Sequence, residues 1–168
     1  ISHYFNERRW RNHISGDLHE RKLMSELSEQ VKIGVYEMLA SIVGEHGLTD
    51  AYEDVAGIDA VYPFVTFTRA PGTVTRSFGE TLQGERDIWF IKSFTDAKSA
   101  DAQDLSPQKQ NAVILADAES RLTNNLSVSG GRLERNIRVG DIPQQIEVIS
   151  DRDVYSSGFQ FEIYVAPN

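Results

Sequence analysis

Apolar positions recur at helical spacing early in the chain. Met24, Leu27, Val31, Val35, Met38 and Ile42 follow one another at steps of three or four, which sets them on one helix face. The spacing predicts a helix from Leu18 to Val43. Asp17 is placed to cap it with Glu20 three positions on, and Gly44 and Gly47 are natural stops. Residues 1–16 show no matching stripe and are read as an irregular N-terminal arm, with a basic and aromatic knot at Arg8, Arg9, Trp10 and Arg11.

Beyond the helix the period changes. Residues 48–60 read as an acidic connection. Residues 60–69 (AVYPFVTFTR) then form a strand in which Pro63 favours an edge or an early position. Ala70-Pro71-Gly72 is a turn signal, and residues 73–84 read as a long polar hairpin loop. A second strand follows at 85–94. It has Trp89 and Ile91 on one face and Ile88, Phe90 and Phe94 on the other, the pattern of a strand covered on both sides.

Ser106-Pro107 supplies an N-cap and a first-turn proline for a second helix, which runs to Asn124 with Ile114, Leu115, Ala118 and Leu122 inward. Three extended segments close the chain near 132–139, 144–149 and 158–166. Turns are expected at Asp151-Arg152-Asp153 and at Ser156-Ser157-Gly158. The order is α-β-β-α-β-β(β). It predicts a two-layer α+β fold, a mostly antiparallel sheet packed against two main helices, with residues 17–168 as one domain behind the arm at 1–16.

Composition narrows the function. The chain has 168 residues, 40% hydrophobic and 25% charged, enough for a packed core in one domain. It has no cysteine, which excludes disulfides, iron–sulfur clusters, thiolate zinc sites and a cysteine nucleophile. No apolar run is long enough to span a membrane, and no membrane role is expected. Net charge is −8, with the acidic excess greatest in the middle third, which argues against a general coat for nucleic-acid phosphates. The first residue is Ile1, so an initiator methionine is expected upstream.

Candidate chemistry is sparse. His13, Asp17, His19 and Glu20 crowd within eight residues, but their spacing matches no known ligand pattern, and two histidines six apart do not share a helix face. Ser129-Gly130-Gly131 lacks the first glycine of a nucleophile elbow, and no phosphate-binding loop occurs. Acidic pairs such as Asp151/Asp153 fit turns. Neither a cofactor nor a metal is expected, and no catalytic residue is assigned. What stands out instead is exposed arginine and aromatic character on segments with no core pattern. The interface candidates are Arg8, Arg9, Trp10 and Arg11 in the arm, Arg76, Phe78 and Glu80 in the long loop, and Arg132 and Arg135.

At residues 59–94 the sequence resembles a known family. Asp59-Ala60-Val61-Tyr62-Pro63-Phe64-Val65-Thr66-Phe67, a polar loop, and Arg86-Asp87-Ile88-Trp89-Phe90-Ile91 are similar to the tail terminators, or tail-completion proteins, of tailed bacteriophages. The likeness extends over residues 22–166. It takes in the helix at 18–43, the helix with Ala112, Ile114 and Leu122, and the closing segments Asp153-Val154-Tyr155 and Gly158 to Ile163.

The resemblance implies a non-enzymatic virion structural protein. Such proteins form a hexameric ring on the head-proximal end of the tail tube, end its polymerisation and join the tail to the head. The implied partners are further copies of the chain, the tail tube protein and the head–tail connector or neck. DNA would pass through the ring lumen without sequence-specific contact. The implied location is the tail and neck region of the virion, assembled in the host cytoplasm. Alternatives from the same reading are a head-closure or sheath-end ring, a small ligand-binding or enzymatic α+β domain with its site on the 70–84 loop, and a nucleic-acid-binding module that uses the arm.

Overall fold

A computed structural model describes residues 4–70, 73–76 and 82–168, and the side chains of 18, 19, 21–70 and 84–168. Nine elements follow one another: α1 (Tyr4–Ala40), β1 (Asp50–Glu53), β2 (Phe64–Arg69), β3 (Thr73–Arg76), β4 (Leu82–Asp96), α2 (Ala97–Asp101), α3 (Pro107–Asn125), β5 (Gly131–Ile149) and β6 (Arg152–Pro167). The expected two-layer α+β architecture is present, with one short additional helix.

The strands form a six-stranded sheet in the order β1-β2-β4-β6-β5, with β3 pairing on β4. All neighbours are antiparallel except β1 and β2. Because side chains alternate along a strand, the register places Val65, Phe67, Trp89, Ile91, Phe159, Phe161, Ile163 and Val165 on one face. All of these are buried, and they share one core with Met24, Leu27, Val31, Val35, Leu39 and Ile42 of α1 and Ile114, Leu115, Ala118 and Leu122 of α3. Both long helices pack on that face. The opposite face, bearing Ile88, Phe90 and Phe94, is only half-buried, so the two-sided pattern of β4 reflects an aromatic-rich outer face rather than a second helical layer.

Several elements differ from the sequence reading. The helix begins at Tyr4, so residues 4–16 are helical rather than an irregular arm, and Asp17 lies inside the helix instead of capping it. No proline or glycine interrupts residues 4–15, so nothing there stops the helix. Leu39 takes the buried position expected for Met38, which is half-buried. The acidic connection contains β1, and the long loop contains β3 and the start of β4. The three closing segments are two strands joined at Ser150 and Asp151, whose φ values of 52° and 59° suit a two-residue hairpin turn. Ser156-Ser157-Gly158, expected as a turn, lies inside β6 opposite Phe94, Ser93 and Lys92. β5 passes Pro143 through a register shift between Ile142 and Gln145.

Candidate functional site

Strand β5 closes one side of the sheet, so among the described residues one flank of its 19-residue backbone has no strand beside it. Three register shifts bend it, at Leu133/Arg135, Arg138/Gly140 and Ile142/Gln145. Ile137, Val139, Ile146, Val148 and Ile149 all stand exposed along it. A long, apolar, unpaired edge is normally blunted because it invites pairing with another chain, and here it is left open. At the other side of the sheet, β1 is four residues long and carries Asp50 and Glu53.

In the middle of the outer sheet face Glu162 is a buried charge, at 5% exposure. Two guanidinium groups hold it: Arg86 at 2.5 Å and Arg135 at 3.0 Å. Arg135 is therefore a structural clamp as well as a surface arginine. Arg132 reaches Glu134 on its own strand at 2.5 Å and is otherwise open to solvent. Arg138 binds Glu119 at 2.8 Å, pairs with Asp141, and lies over the Phe159 ring at 5.2 Å. Among the remaining interface candidates, Arg8, Arg9, Trp10 and Arg11 are on the N-terminal part of α1, and Arg76 ends β3. Phe78 and Glu80 lie outside the described residues. The described candidates thus fall on three separate elements.

The sequence reading missed a cleft of about 490 Å³ at the end of the sheet where β4 finishes. Its floor is aromatic: Phe64 stacks on Phe94 at 5.1 Å, and Tyr62 lies 5.1 Å from Phe64. Its walls are the loop after β1, with Val55 at 81% and Ile58 at 99% exposure, and the β5–β6 turn, with Ile149 and Ser150. Arg152 lies over Tyr62 at 5.8 Å and binds Asp96 at 2.9 Å. Burial pushes the Asp96 carboxyl up, but hydrogen bonds from Ser99, which it caps at the start of α2, and the Arg152 charge outweigh this and hold it below its ordinary value. The available signal was the aromatic spacing Tyr62-x-Phe64 and Phe94, which sequence alone does not bring together.

A second polar cluster lies on the helix-covered face. Asp87 is 2% exposed, with Arg69 at 3.8 Å from one oxygen and no hydrogen-bond partner on the other. Burial and the neighbouring Asp87 push the Glu85 carboxyl up to about 7, against the pull of Arg69, and burial also raises Asp87. Glu85 therefore keeps a proton in the folded chain that the unfolded chain loses near its ordinary value of 4.5. The folded state binds more protons across this window, so this contribution to stability is complete below about pH 4.5 and is lost as pH rises through about 7. Glu85→Gln should remove the dependence and raise stability at pH 8 by about 1–2 kcal/mol, the full shift being reduced by solvent screening at a half-buried group. Urea unfolding at pH 5 and pH 8 checks this. Parallel pH profiles for both proteins would refute the assignment.

Among the described residues, Glu45, His46 and Asp117 bring ligand atoms within 4.8 Å of one another. Arg121 already supplies the positive charge there, at 3.3 Å from Glu45 and 3.5 Å from Asp117. His19, from the histidine group singled out in the sequence, is exposed on α1, and the side chain of His13 lies outside the described residues.

No family model matches the sequence, and no curated protein matches it. Among solved structures, a chain of the "Virion of native gene transfer agent (GTA) particle" is similar in fold, with a TM-score of 0.52 and 20% identity. The match covers 83% of this chain and 97% of that one. The likeness spans nearly all of the neighbour and is a likeness of fold.

Proposed function

We propose that this chain is a non-enzymatic structural protein of a tailed virion, acting as the tail terminator at the head–tail junction. The observation that carries the reading is the fold held in common, over 83% of the chain, with a component of a gene transfer agent virion. The family resemblance of residues 22–166 supports it independently, since it rests on the order of elements and on the Tyr62-Pro63-Phe64-Val65 strand. The surface is also suited to assembly: β5 is an open edge carrying five exposed aliphatic side chains, and β1 at the other side is acidic. In a closed ring these features serve as contacts between copies, with the tail tube and the neck meeting the two ring faces. A chain at −8 also presents DNA in the lumen with a like charge, so the genome would pass without sticking.

Native mass measurement with negative-stain imaging tests the reading. The expected result is a hexameric ring, formed by the protein alone or on addition of tail tube protein. A protein that remains a monomer, and ignores tail tube protein, would overturn it. A head-closure or sheath-end ring would instead assemble on connector or sheath protein and leave the tube end uncapped.

A further inference from the structure

The geometry points to a specific contact between copies: the N-terminal part of α1, residues 4–14, seats in the aromatic cleft of a second copy of this chain. The first observation is the direction of α1. Leu27 packs near Gly131, which faces Val165; Ser28 meets Arg69; Lys32 reaches Glu53 at 3.5 Å. In the sheet register Val165 pairs Glu85, Arg69 pairs Trp89, and Glu53 pairs Phe67, which pairs Ile91. The helix therefore runs along the sheet from the Glu85 end of β4 toward the Phe94 end. Among the residues whose side chains are described, its buried positions begin at Met24, and Leu18, His19, Arg21 and Lys22 are all exposed. At 1.5 Å per residue, the twenty residues from Tyr4 to Leu23 carry the helix about 30 Å back past its first core residue.

The second observation is the position of the cleft. Its floor residues Phe64 and Phe94 lie on the face opposite α1 and at the far end of β4 from the projecting helix. The helix cannot fold back into its own cleft without leaving the core, so any docking occurs between copies. A contact that joins one end of a copy to the other end of the next is heterologous, and such contacts close into rings when the rotation allows.

The third observation is charge. Residues 4–14 carry Arg8, Arg9 and Arg11 against the single acid Glu7, together with Tyr4, Phe5, Trp10 and Ile14. The cleft has the complementary character. Asp54 lines it, Asp59 sits between two lining residues, and Asp151 and Asp153 flank Arg152, all four acids being exposed. The one cation lining the cleft, Arg152, is already paired with Asp96. A basic, aromatic-bearing helix fits an apolar, acid-rimmed groove, and Trp and Arg are the side chains that dominate such contacts.

This contact deepens the ring reading, and the test separates the two. Because the chain has no cysteine, Trp10→Cys and Ile58→Cys can be introduced singly into the full-length protein, mixed and oxidised. The expected result is a disulfide-linked pair joining residue 10 of one copy to residue 58 of another, identified by mass spectrometry. The double variant should give a ladder of linked oligomers. Trp10→Cys mixed with Ile33→Cys, a position exposed on α1 itself, should not link. A ring that forms with no 10–58 link overturns this contact and leaves the ring intact. A protein that is monomeric and unlinked at all concentrations, with tail tube protein added as well as without it, overturns both. Linking to Ile33→Cys as readily as to Ile58→Cys marks random collision and also overturns it.

Discussion

Replacing Asn111 with alanine is expected to lower the unfolding free energy by about 2–4 kcal/mol, as two buried polar partners are stranded at once. Asn111 and Ser93 are fully buried, and the Ser93 hydroxyl donates to Asn111 Oδ1 at 2.8 Å. The Asn111 amide donates in turn to the Tyr155 carbonyl at 3.0 Å, so one side chain ties α3 to β4 and β6 together. Gln110 extends the network: the Thr95 hydroxyl donates to its oxygen at 2.5 Å, and its amide donates to the His46 carbonyl at 3.0 Å. These bonds sit on the covered face just behind the cleft floor. Urea unfolding of Asn111→Ala should show a lowered midpoint with an unchanged slope. A loss below about 1 kcal/mol would mean that the network is not satisfied as described. The pairing itself is measured by a double-mutant cycle with Ser93→Ala, where a coupling of about 1 kcal/mol or more is expected.

Gly158→Ala is the second large effect expected, about 2–3 kcal/mol. A Cβ at Gly158 would stand 2.2 Å from the Ile91 carbonyl oxygen and 3.1 Å from the Lys92 Cα, both backbone atoms that no rotamer change can move. β6 would have to separate from β4 at the middle of the sheet, where Phe159 and Phe161 anchor the core. In a domain of this size the loss corresponds to a fall in Tm of about 4–12 °C. Gly140→Ala is the matched control: its added Cβ meets only the Gln160 side chain at 3.5 Å, an ordinary contact. Thermal unfolding that moves both variants equally, or Gly158→Ala by less than 2 °C, would contradict the close approach.

Gly158 also shows why part of the fold is hidden from sequence reading. Ser156-Ser157-Gly158 has the composition of a turn, and local composition carries no information about a neighbouring strand's carbonyl. The same holds for β1, whose Asp-Ala-Tyr-Glu pattern becomes a strand because β2 offers it a parallel partner, with Ala51 tucked against the core beside Val65. At the N-terminus the omission was of another kind. Residues 4–16 show no apolar stripe that continues the one beginning at Met24, but a stripe reports burial against the chain's own core, and helix formation by itself does not require one.

The interface candidates divide along the same line. Sequence alone singled out Arg132 and Arg135 as a pair. In the fold Arg135 clamps the buried Glu162 with Arg86, while Arg132 meets only its strand neighbour Glu134. Their difference arises from position along β6: both stand on the outer face, but Arg135 lies beside Tyr164, the outer-face position next to Glu162, whereas Arg132 lies beside Ala166, one step further away.

Whatever depends on period and punctuation was determined by the sequence: the buried stripe of α1, the Ser106-Pro107 start of α3, the alternation of β6 and the α+β class itself. These are decided within a few residues, by side-chain direction and backbone freedom. Only the tertiary structure decided which strand lies beside which, and with it the open β5 edge, the Glu162 clamp, the proton held on Glu85 and the aromatic cleft between residues more than eighty positions apart. Each of those requires desolvation or pairing between distant segments, and the free energy of such contacts exists only once the chain has brought them together.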